Sequence, residues 1–176
     1  KISTILSGVR VLTPDKIVEI FWSNLSAIFE ETSAMTEIRI DYVIDGNKEE
    51  KFDAILIDAP CTGLGALRRR PEVRWRRTLQ DLRELTQLQR ELIQSAISAL
   101  NVGGVLGYAT CSPHLAETSI QVADIKKKFT NVEQIPVGPF MPGNLDASLR
   151  DDAMSLWTHR VGTDAMYLAL FKKSSE

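Results

Sequence analysis

Two short apolar runs, with one long amphipathic segment between them, constrain the fold of this chain more than any other feature. Residues 52–58 (FDAILID) and 105–110 (VLGYAT) are almost entirely apolar, which is typical of strands buried on both faces of a parallel sheet. Between them, Thr78 can cap a long helix together with Asp81, and Asn101 with the glycines after it can end that helix. Strand, helix, strand with short connections predicts an α/β sheet.

The helix between the two runs has one apolar stripe at helical spacing. The stripe consists of Leu79, Leu82, Leu85, Leu88, Leu92, Ile93, Ala96, Ile97 and Leu100. We expect this stripe to pack against the sheet.

The rest of the chain extends the same pattern. Further strands are predicted at 9–13, 37–45, 154–157 and 165–171, further helices at 14–31 and 115–129, and a loop at 136–142. The last two strands have no helix between them, which indicates an antiparallel edge. A length of 176 residues predicts a single domain over residues 1–176.

Acidic and thiol side chains follow the predicted strands at the points where they end. Asp45 ends one strand, Asp58 ends another and is followed by Cys61, and Cys111 comes directly after the strand at 105–110. Ligands of open α/β sheets bind beyond the carboxyl ends of the strands. The sequence therefore predicts a site with two cysteines and two aspartates at one rim of the sheet.

The two cysteines could act as nucleophiles, because a thiolate attacks carbon well once a positive environment or a helix N-terminus lowers its pKa. Cys111 precedes the helix predicted at 115–129. Two other interpretations stay open. Either cysteine could be a buried structural residue, and Cys61 and Cys111 could form a redox pair if their Cα atoms lie within about 7 Å.

Several classes of protein are not indicated. The cysteines have no CxxC partner, and His114 and His159 have no metal spacing, so we predict no metal site and expect both histidines to be structural. No apolar run approaches the roughly 18 residues of a membrane span, and no signal peptide opens the chain. These features favour a reducing, cytoplasmic setting.

Positive charge is concentrated in one segment of an acidic chain. Residues 68–77 (RRRPEVRWRR), called here the arginine segment, contain six arginines and one glutamate, whereas the whole chain has a net charge of −2. Such a segment favours contact with a polyanion such as RNA. The alternative is a solvated loop.

Four motifs, in this order, resemble those of the Sun/Fmu family of RNA cytosine-C5 methyltransferases. They are DAPC at 58–61, RPEVRW at 70–75, YATCS at 108–112 and LWTHRVGTDAMY at 156–167. The resemblance runs from Phe52 to Lys173 and is strongest to the bacterial enzymes that modify small-subunit ribosomal RNA. It implies a class I S-adenosylmethionine-dependent, Rossmann-like methyltransferase with a mostly parallel sheet and an antiparallel C-terminal edge.

The resemblance also implies a mechanism. Cys111 would add to C6 of a cytosine, C5 would then take the methyl group of S-adenosylmethionine, and a base would remove the C5 proton before the thiol leaves. Cys61 would assist release of the product. Asp58 would contact the cytosine ring or lie beside the methyl donor.

The implied cofactor residues are Asp45, Asp58 and Lys1. The first strand and the glycine-rich turn of the family are not visible, and Lys1 matches the last residue of that turn, so binding of S-adenosylmethionine by this chain stays open. A catalytically silent RNA-binding domain is the alternative. A methyltransferase acting on an amino nitrogen usually has Asn/Asp-Pro-Pro-Tyr where this chain has DAPC, and is less favoured.

The implied RNA contacts lie in the arginine segment. Guanidinium groups bind phosphates in a bidentate manner, and aromatic rings stack on bases. Trp75 could instead anchor the loop in the core. The residues are Arg68, Arg69, Arg70, Arg74 and Trp75. Two further expectations are structural: Thr163 and Asp164 would bond a loop to the sheet, and Gly63 and Gly65 would let the chain turn near the substrate.

Overall fold

The computed structural model describes residues 6–8, 51–140 and 152–176. The predicted strands at 9–13 and 37–45 and the predicted helix at 14–31 lie outside these residues. So do two of the candidate cofactor residues, Asp45 and Lys1. They stay predictions, as does the single domain over residues 1–176.

The described residues form six strands, four α-helices and three 3-10 turns. The strands are β1 (Leu6–Gly8), β2 (Phe52–Asp58), β3 (Leu100–Thr110), β4 (Val132–Ile135), β5 (Ala153–Leu156) and β6 (Met166–Lys173). The α-helices are α1 (Val73–Arg76), α2 (Leu79–Ala99), α3 (Ser119–Lys128) and α4 (Thr158–Val161). The 3-10 turns are Leu64–Ala66, Leu115–Glu117 and Gly138–Phe140.

The strands form one mixed sheet in the order β1-β2-β3-β6-β4, with β5 also paired to β6. The described pair β2 and β3 is parallel, and Ile57 lies opposite Tyr108. β6 runs antiparallel to β3, β4 and β5, and β1 runs antiparallel to β2. The antiparallel C-terminal edge is therefore confirmed. The expectation that no helix lies between its last two strands is wrong, because the short helix α4 connects β5 to β6. β4 is a strand that the sequence pattern did not predict.

Both faces of β2 are buried, as its apolar sequence predicted. Ile55 and Ile57 face a core cluster that includes residues of α2 and α3, and Ala54 and Leu56 face a second cluster that includes residues of β5. Successive residues of a strand point to opposite faces, so this alternation places apolar side chains on each side. None of the helices in the described part of the chain is long and apolar enough to span a bilayer.

The transition from α2 to β3 differs from the prediction. The helix begins as expected, with a capping box between Thr78 and Asp81, but it ends at Ala99 and β3 starts at once with Leu100. Leu100 is fully buried and pairs with Phe52 in the sheet, so the chain is extended five residues earlier than predicted. A bulge follows before the regular pairing resumes.

The predicted helix at 115–129 is interrupted. A 3-10 turn covers Leu115–Glu117, and α3 begins only at Ser119, because Thr118 has φ −130° and ψ −104°. Glu117, the last residue before this break, is fully buried. The break therefore accompanies the insertion of an acidic side chain into the core.

The predicted apolar stripe of α2 contains fully buried residues only in the second half of the helix. Ile93, Ala96 and Ile97 are buried as predicted, whereas Leu79 is 75% exposed. In the first half of the helix the buried side chains are Thr86 and Gln89. This half of α2 packs over polar groups at the carboxyl end of the sheet.

Candidate active site

The fold brings the two cysteines together. Because β2 and β3 are parallel neighbours, their carboxyl ends lie side by side, and the Ala59 amide donates to the Ala109 carbonyl 2.9 Å away just beyond the ladder. The sulfurs of Cys61 and Cys111 lie 3.3 Å apart, and both cysteines are free. This is the separation of a sulfur hydrogen bond, not of a disulfide. We call the two residues the cysteine pair.

The two thiols of the pair are not equivalent. The hydrogen bond between Cys61 and Cys111, together with burial, raises the pKa of Cys61, and the same hydrogen bond lowers the pKa of Cys111. Cys61 is 9% exposed and Cys111 is more accessible. The pair therefore ionises more readily at Cys111 than at Cys61.

Asp58 lies at the end of β2 beside the pair. Its side chain is exposed, yet surrounding protein atoms desolvate the carboxylate and raise its pKa. Its charge opposes ionisation of Cys111. The Asp58 carboxylate makes no hydrogen bond within the residues that the structure describes, so its acceptor oxygens are available to a ligand at this rim.

A buried carboxylate lies behind the pair. Glu117 is fully buried, and its Oε1 accepts from the Thr62 amide at 2.8 Å. Its Oε2 accepts from the hydroxyls of Thr62 at 2.5 Å and Ser112 at 2.6 Å. Thr62 directly follows Cys61, and Ser112 directly follows Cys111, so one carboxylate binds both cysteine loops.

Helix α2 and strand β3 complete this polar cluster. Gln89 donates to the carbonyl of Pro60 at 2.9 Å and to Glu117 Oε1 at 3.2 Å. The Tyr108 hydroxyl donates to the Glu117 carbonyl at 2.9 Å and also lies 3.2 Å from Gln89 Oε1. We call Glu117, Thr62, Ser112, Gln89 and Tyr108 the Glu117 cluster.

Gly65 holds the DAPC loop against the end of β3. Its amide donates to the Cys111 carbonyl at 2.9 Å, and its carbonyl accepts from the Ala165 amide at 3.0 Å. A Cβ at this position would lie 2.0 Å from the Ala165 carbonyl oxygen and 2.7 Å from that of Cys111. Gly63 serves the turn instead, with φ +71° and open space around it. The sequence predicted that both glycines let the chain turn. Gly63 has that role, whereas Gly65 is required by the close approach of neighbouring backbone.

The arginine segment divides into two groups. Arg69 forms a bidentate ion pair with Asp164, at 3.0 Å from Nε and 2.5 Å from Nη2, and this hydrogen bonding raises its pKa. The Asp164 side chain is 4% exposed, so Arg69 is a structural partner of the motif at 156–167. The Asp164 side chain thus bonds its loop to the arginine segment and not, as expected, to the sheet, and the Thr163 hydroxyl donates to the Asp164 carbonyl within the loop.

The other group faces solvent. Trp75 is 77% exposed with the Arg74 guanidinium 4.7 Å from its ring centroid, so it is not a core anchor. Arg68 and Arg70 are also exposed. These four predicted RNA contacts are available to a partner, and Arg69 is largely committed to Asp164.

A small recess of about 90 Å³ opens beside Ser112. Trp157 contributes to its wall and is 40% exposed, and Leu115 on its rim is 63% exposed. Apolar surface therefore flanks the turn that bears Cys111. The His114 ring accepts from the Ala116 amide, and the ring centroids of His159 and Trp157 lie 6.2 Å apart, so that both histidines are structural stays a prediction.

Comparison with known proteins agrees with this arrangement. The family model of the 16S rRNA methyltransferase RsmB/F matches residues 25–172. The chain belongs to this family. The Sun/Fmu resemblance and the class I methyltransferase fold are thereby confirmed.

Individual RsmB/F relatives and solved structures match part of the chain. A methyltransferase-named protein of Mycobacterium tuberculosis (strain CDC 1551 / Oshkosh) is 49% identical over 122 residues, which is 69% of this chain and 26% of that protein. Ribosomal RNA small subunit methyltransferase B of Enterobacter sp. (strain 638) is 43% identical over 54% of this chain and 22% of its own. NSun6 from Pyrococcus horikoshii, solved with the S-adenosylmethionine analogue SFG, is 29% identical with a TM-score of 0.56, over 72% of this chain and 31% of its own. The chain spans about a quarter of the length of these curated relatives.

The Glu117 cluster of this RsmB/F chain was not predicted from the sequence. Glutamate is almost never fully buried without partners, so a single Glu inside a predicted helix is read as a surface residue. Gln89 and Thr62 were missed for the same reason. Thr62 directly follows the DAPC motif and Glu117 lies a few residues after the YATCS motif, but these positions do not show which polar side chains turn inward, and Gln89 lies in none of the motifs.

Proposed function

We propose that this chain is part of an enzyme that transfers a methyl group from S-adenosylmethionine to C5 of a cytosine in small-subunit ribosomal RNA. Membership of the RsmB/F family supports RNA methylation dependent on S-adenosylmethionine. The single observation that favours the cytosine-C5 reaction is the cysteine pair, with its 3.3 Å contact and the lowered pKa of Cys111.

Cys111 is the proposed nucleophile. C5 of cytosine is a poor nucleophile, and addition of the Cys111 thiolate to C6 turns C5 into an enamine-like carbon that can be methylated. A thiolate is needed for this addition, and Cys111 is the member of the pair with the lowered pKa. Cys111 is also more accessible than Cys61, as a group that attacks a bound base must be.

Cys61 is proposed to assist release of the product. After methylation a base removes the C5 proton and the Cys111 sulfur leaves C6 as a thiolate. The Cys61 thiol, held 3.3 Å from that sulfur, can donate a hydrogen bond to it as the charge returns. Its raised pKa keeps this proton in place.

Asp58 is proposed to contact the base or the methyl donor. S-adenosylmethionine, when bound, supplies the methyl group. The free, exposed carboxylate at the end of β2 fits either a hydrogen-bond donor of the cytosine ring or the neighbourhood of a cationic group. Asp45 and Lys1 remain proposed cofactor residues on the family resemblance alone.

The RNA is proposed to lie along the exposed part of the arginine segment. Arg68, Arg70 and Arg74 would bind phosphates, and Trp75 offers an open ring face for a base. Trp157, beside the Cys111 turn, is a second exposed ring.

The test is trapping of the covalent protein–RNA adduct in two single variants, in each of which one cysteine is replaced by alanine. In the intact protein, Cys61→Ala should accumulate a protein–RNA adduct on a denaturing gel, because release is impaired while addition is not. Cys111→Ala should abolish the adduct and lower methyl transfer by about 10³-fold or more. Ser95→Ala, an exposed change on α2, is the control.

Methyl transfer by Cys111→Ala at near wild-type rate would refute the assignment of the nucleophile. RNA binding without any methylation or adduct in the wild type would instead favour a silent RNA-binding domain.

A further inference from the structure

The Glu117 cluster has no role in the mechanism above, although it lies directly behind the cysteine pair. Its carboxylate is fully buried and accepts four hydrogen bonds, from the amide and hydroxyl of Thr62, the hydroxyl of Ser112 and the amide of Gln89. Burying a carboxylate is costly unless its oxygens are fully satisfied. The burial of Glu117 between the loops of Cys61 and Cys111 therefore suggests that its carboxylate serves those two loops.

The partners of Glu117 come from both loops. Thr62 belongs to the loop after β2, one residue beyond Cys61, and Ser112 belongs to the loop after β3, one residue beyond Cys111. The two hydroxyls also lie 3.2 Å from each other. Beyond the strand ends at Asp58 and Thr110, the backbone of these loops is joined by the bonds from the Ala59 amide to Ala109 and from the Gly65 amide to Cys111, and Glu117 adds side-chain bonds at Thr62 and Ser112 between them.

A carboxylate suits this position because it only accepts. Thr62 and Ser112 must both orient their hydroxyls toward it, and charge-assisted hydrogen bonds of this type are short and roughly twice as strong as neutral ones. Gln89 fixes the same loop from α2 by donating to Pro60 and to Glu117. The cluster thus holds the residue that directly follows each cysteine, Thr62 after Cys61 and Ser112 after Cys111.

We propose that Glu117 is a positioning residue, which clamps the Cys61 loop to the Cys111 loop and so fixes the hydrogen bond between the two sulfurs. It touches neither substrate nor the reacting atoms, and it acts through Thr62 and Ser112. The effect of this clamp on catalysis rests on the proposed function, whereas its effect on the arrangement of the two thiols is independent of that function.

The test compares Glu117→Gln with Glu91→Gln in the intact protein. Gln is nearly isosteric but replaces one acceptor oxygen by a donor, so it cannot take all four hydrogen bonds in the same arrangement. Glu91 is exposed on α2 and accepts one local hydrogen bond from Gln87, which makes it the matched control. Folding of each variant is checked by its melting temperature.

The first readout is thiol selectivity and needs no activity. Iodoacetamide is added to the native protein, and alkylation at Cys61 and Cys111 is followed by mass spectrometry of the two peptides. In the wild type Cys111 should react first. In Glu117→Gln the ratio of the two rates should fall by about tenfold, because the lost charge-assisted bonds no longer hold the donor sulfur against the acceptor. Glu91→Gln should leave the ratio unchanged.

The second readout is the division between kcat and KM. Since the exposed arginines that would bind RNA are not part of the Glu117 cluster, Glu117→Gln should lower kcat by about tenfold and leave KM for RNA within about twofold. Loss of selectivity in a protein whose wild type shows no methyl transfer would support the clamp and refute the proposed function. Loss of kcat with unchanged selectivity would refute the clamp.

A folded Glu117→Gln variant with wild-type selectivity and kcat would show that Glu117 only satisfies buried donors. If Glu117→Gln does not fold, Thr62→Val replaces it, since valine matches threonine in shape and removes only the hydroxyl between Glu117 and Ser112. The same fall in selectivity is then expected, and an unchanged ratio would overturn the proposal.

Discussion

Cys61, in the loop after β2, is 9% exposed, whereas Trp75, in the short helix α1 that follows, is 77% exposed. The cysteine pair is surrounded by backbone contacts and by the Glu117 cluster, which fix it from β2, β3 and α2. Two side chains attach the arginine segment to the site: the Arg69 guanidinium binds the buried Asp164, and Arg77 Nε donates to the Thr62 carbonyl at 3.1 Å. The other arginines of the segment are exposed. The chain thus places a rigid thiol site next to a cationic surface that keeps its side-chain freedom.

This difference has a physical reason. A sulfur must meet one atom of a base within a few tenths of an ångström, and only packing and hydrogen bonds on all sides can hold it so. A phosphate contact depends mostly on charge, and long side chains can adapt to an irregular backbone. The two regions should therefore respond to mutation in different ways.

The largest effect on stability is expected at Gly65. Gly65→Ala would place a Cβ 2.0 Å from the Ala165 carbonyl oxygen and 2.7 Å from that of Cys111, so backbone must move. The free energy of unfolding should fall by about 3 kcal/mol in denaturant titration. Gly63→Ala is the control: it meets no atom within 4 Å but has φ +71°, and should cost about 1 kcal/mol. Equal losses would mean that the close packing of the loop is not what fixes it.

The arginines should separate into a structural one and several binding ones. Arg69→Ala leaves Asp164 buried without its partner and should lower the free energy of unfolding by about 2 kcal/mol. Changing Arg68, Arg70 and Arg74 together to Ala should leave stability nearly unchanged.

The same triple variant should weaken RNA binding and lower the slope of log K against log salt by about 2, since each phosphate contact contributes about 0.7 on single strands. Binding is measured by fluorescence anisotropy at several salt concentrations. An unchanged slope in the triple variant would show that the exposed arginines form a solvated loop.

The smallest effect is expected at Asp58. Its folded pKa is raised above the ordinary 3.8 by desolvation, so the stability it contributes is present below that value and is lost as pH rises through the folded pKa. Asp58→Asn should therefore raise the melting temperature at pH 7 by about 2 °C or less, because solvent screens the exposed group. At pH 3 the gain should vanish.

Asp152→Asn, at an exposed position before β5, is the control for Asp58→Asn. A lower melting temperature for Asp58→Asn at pH 7 would mean that the charged form has a stabilising partner.

The sequence alone determined the elements whose signals are local. The bounds of β2 follow from seven nearly apolar residues, and the start of α2 follows from a capping box that needs only Thr78 and Asp81. The placement of Cys61 and Cys111 at one rim followed from topology, because the carboxyl ends of neighbouring parallel strands must meet.

Tertiary structure alone decided which polar side chains turn inward. Glu117, Thr62 and Gln89 are far apart in sequence, and each would be a surface residue on its own. They are buried because they satisfy one another, and that condition exists only after β2, β3 and α2 have packed. For the same reason the sequence could not show that Arg69 is structural while the neighbouring arginines are exposed. Arg69 differs from them because it binds Asp164, which lies 95 positions away in the sequence.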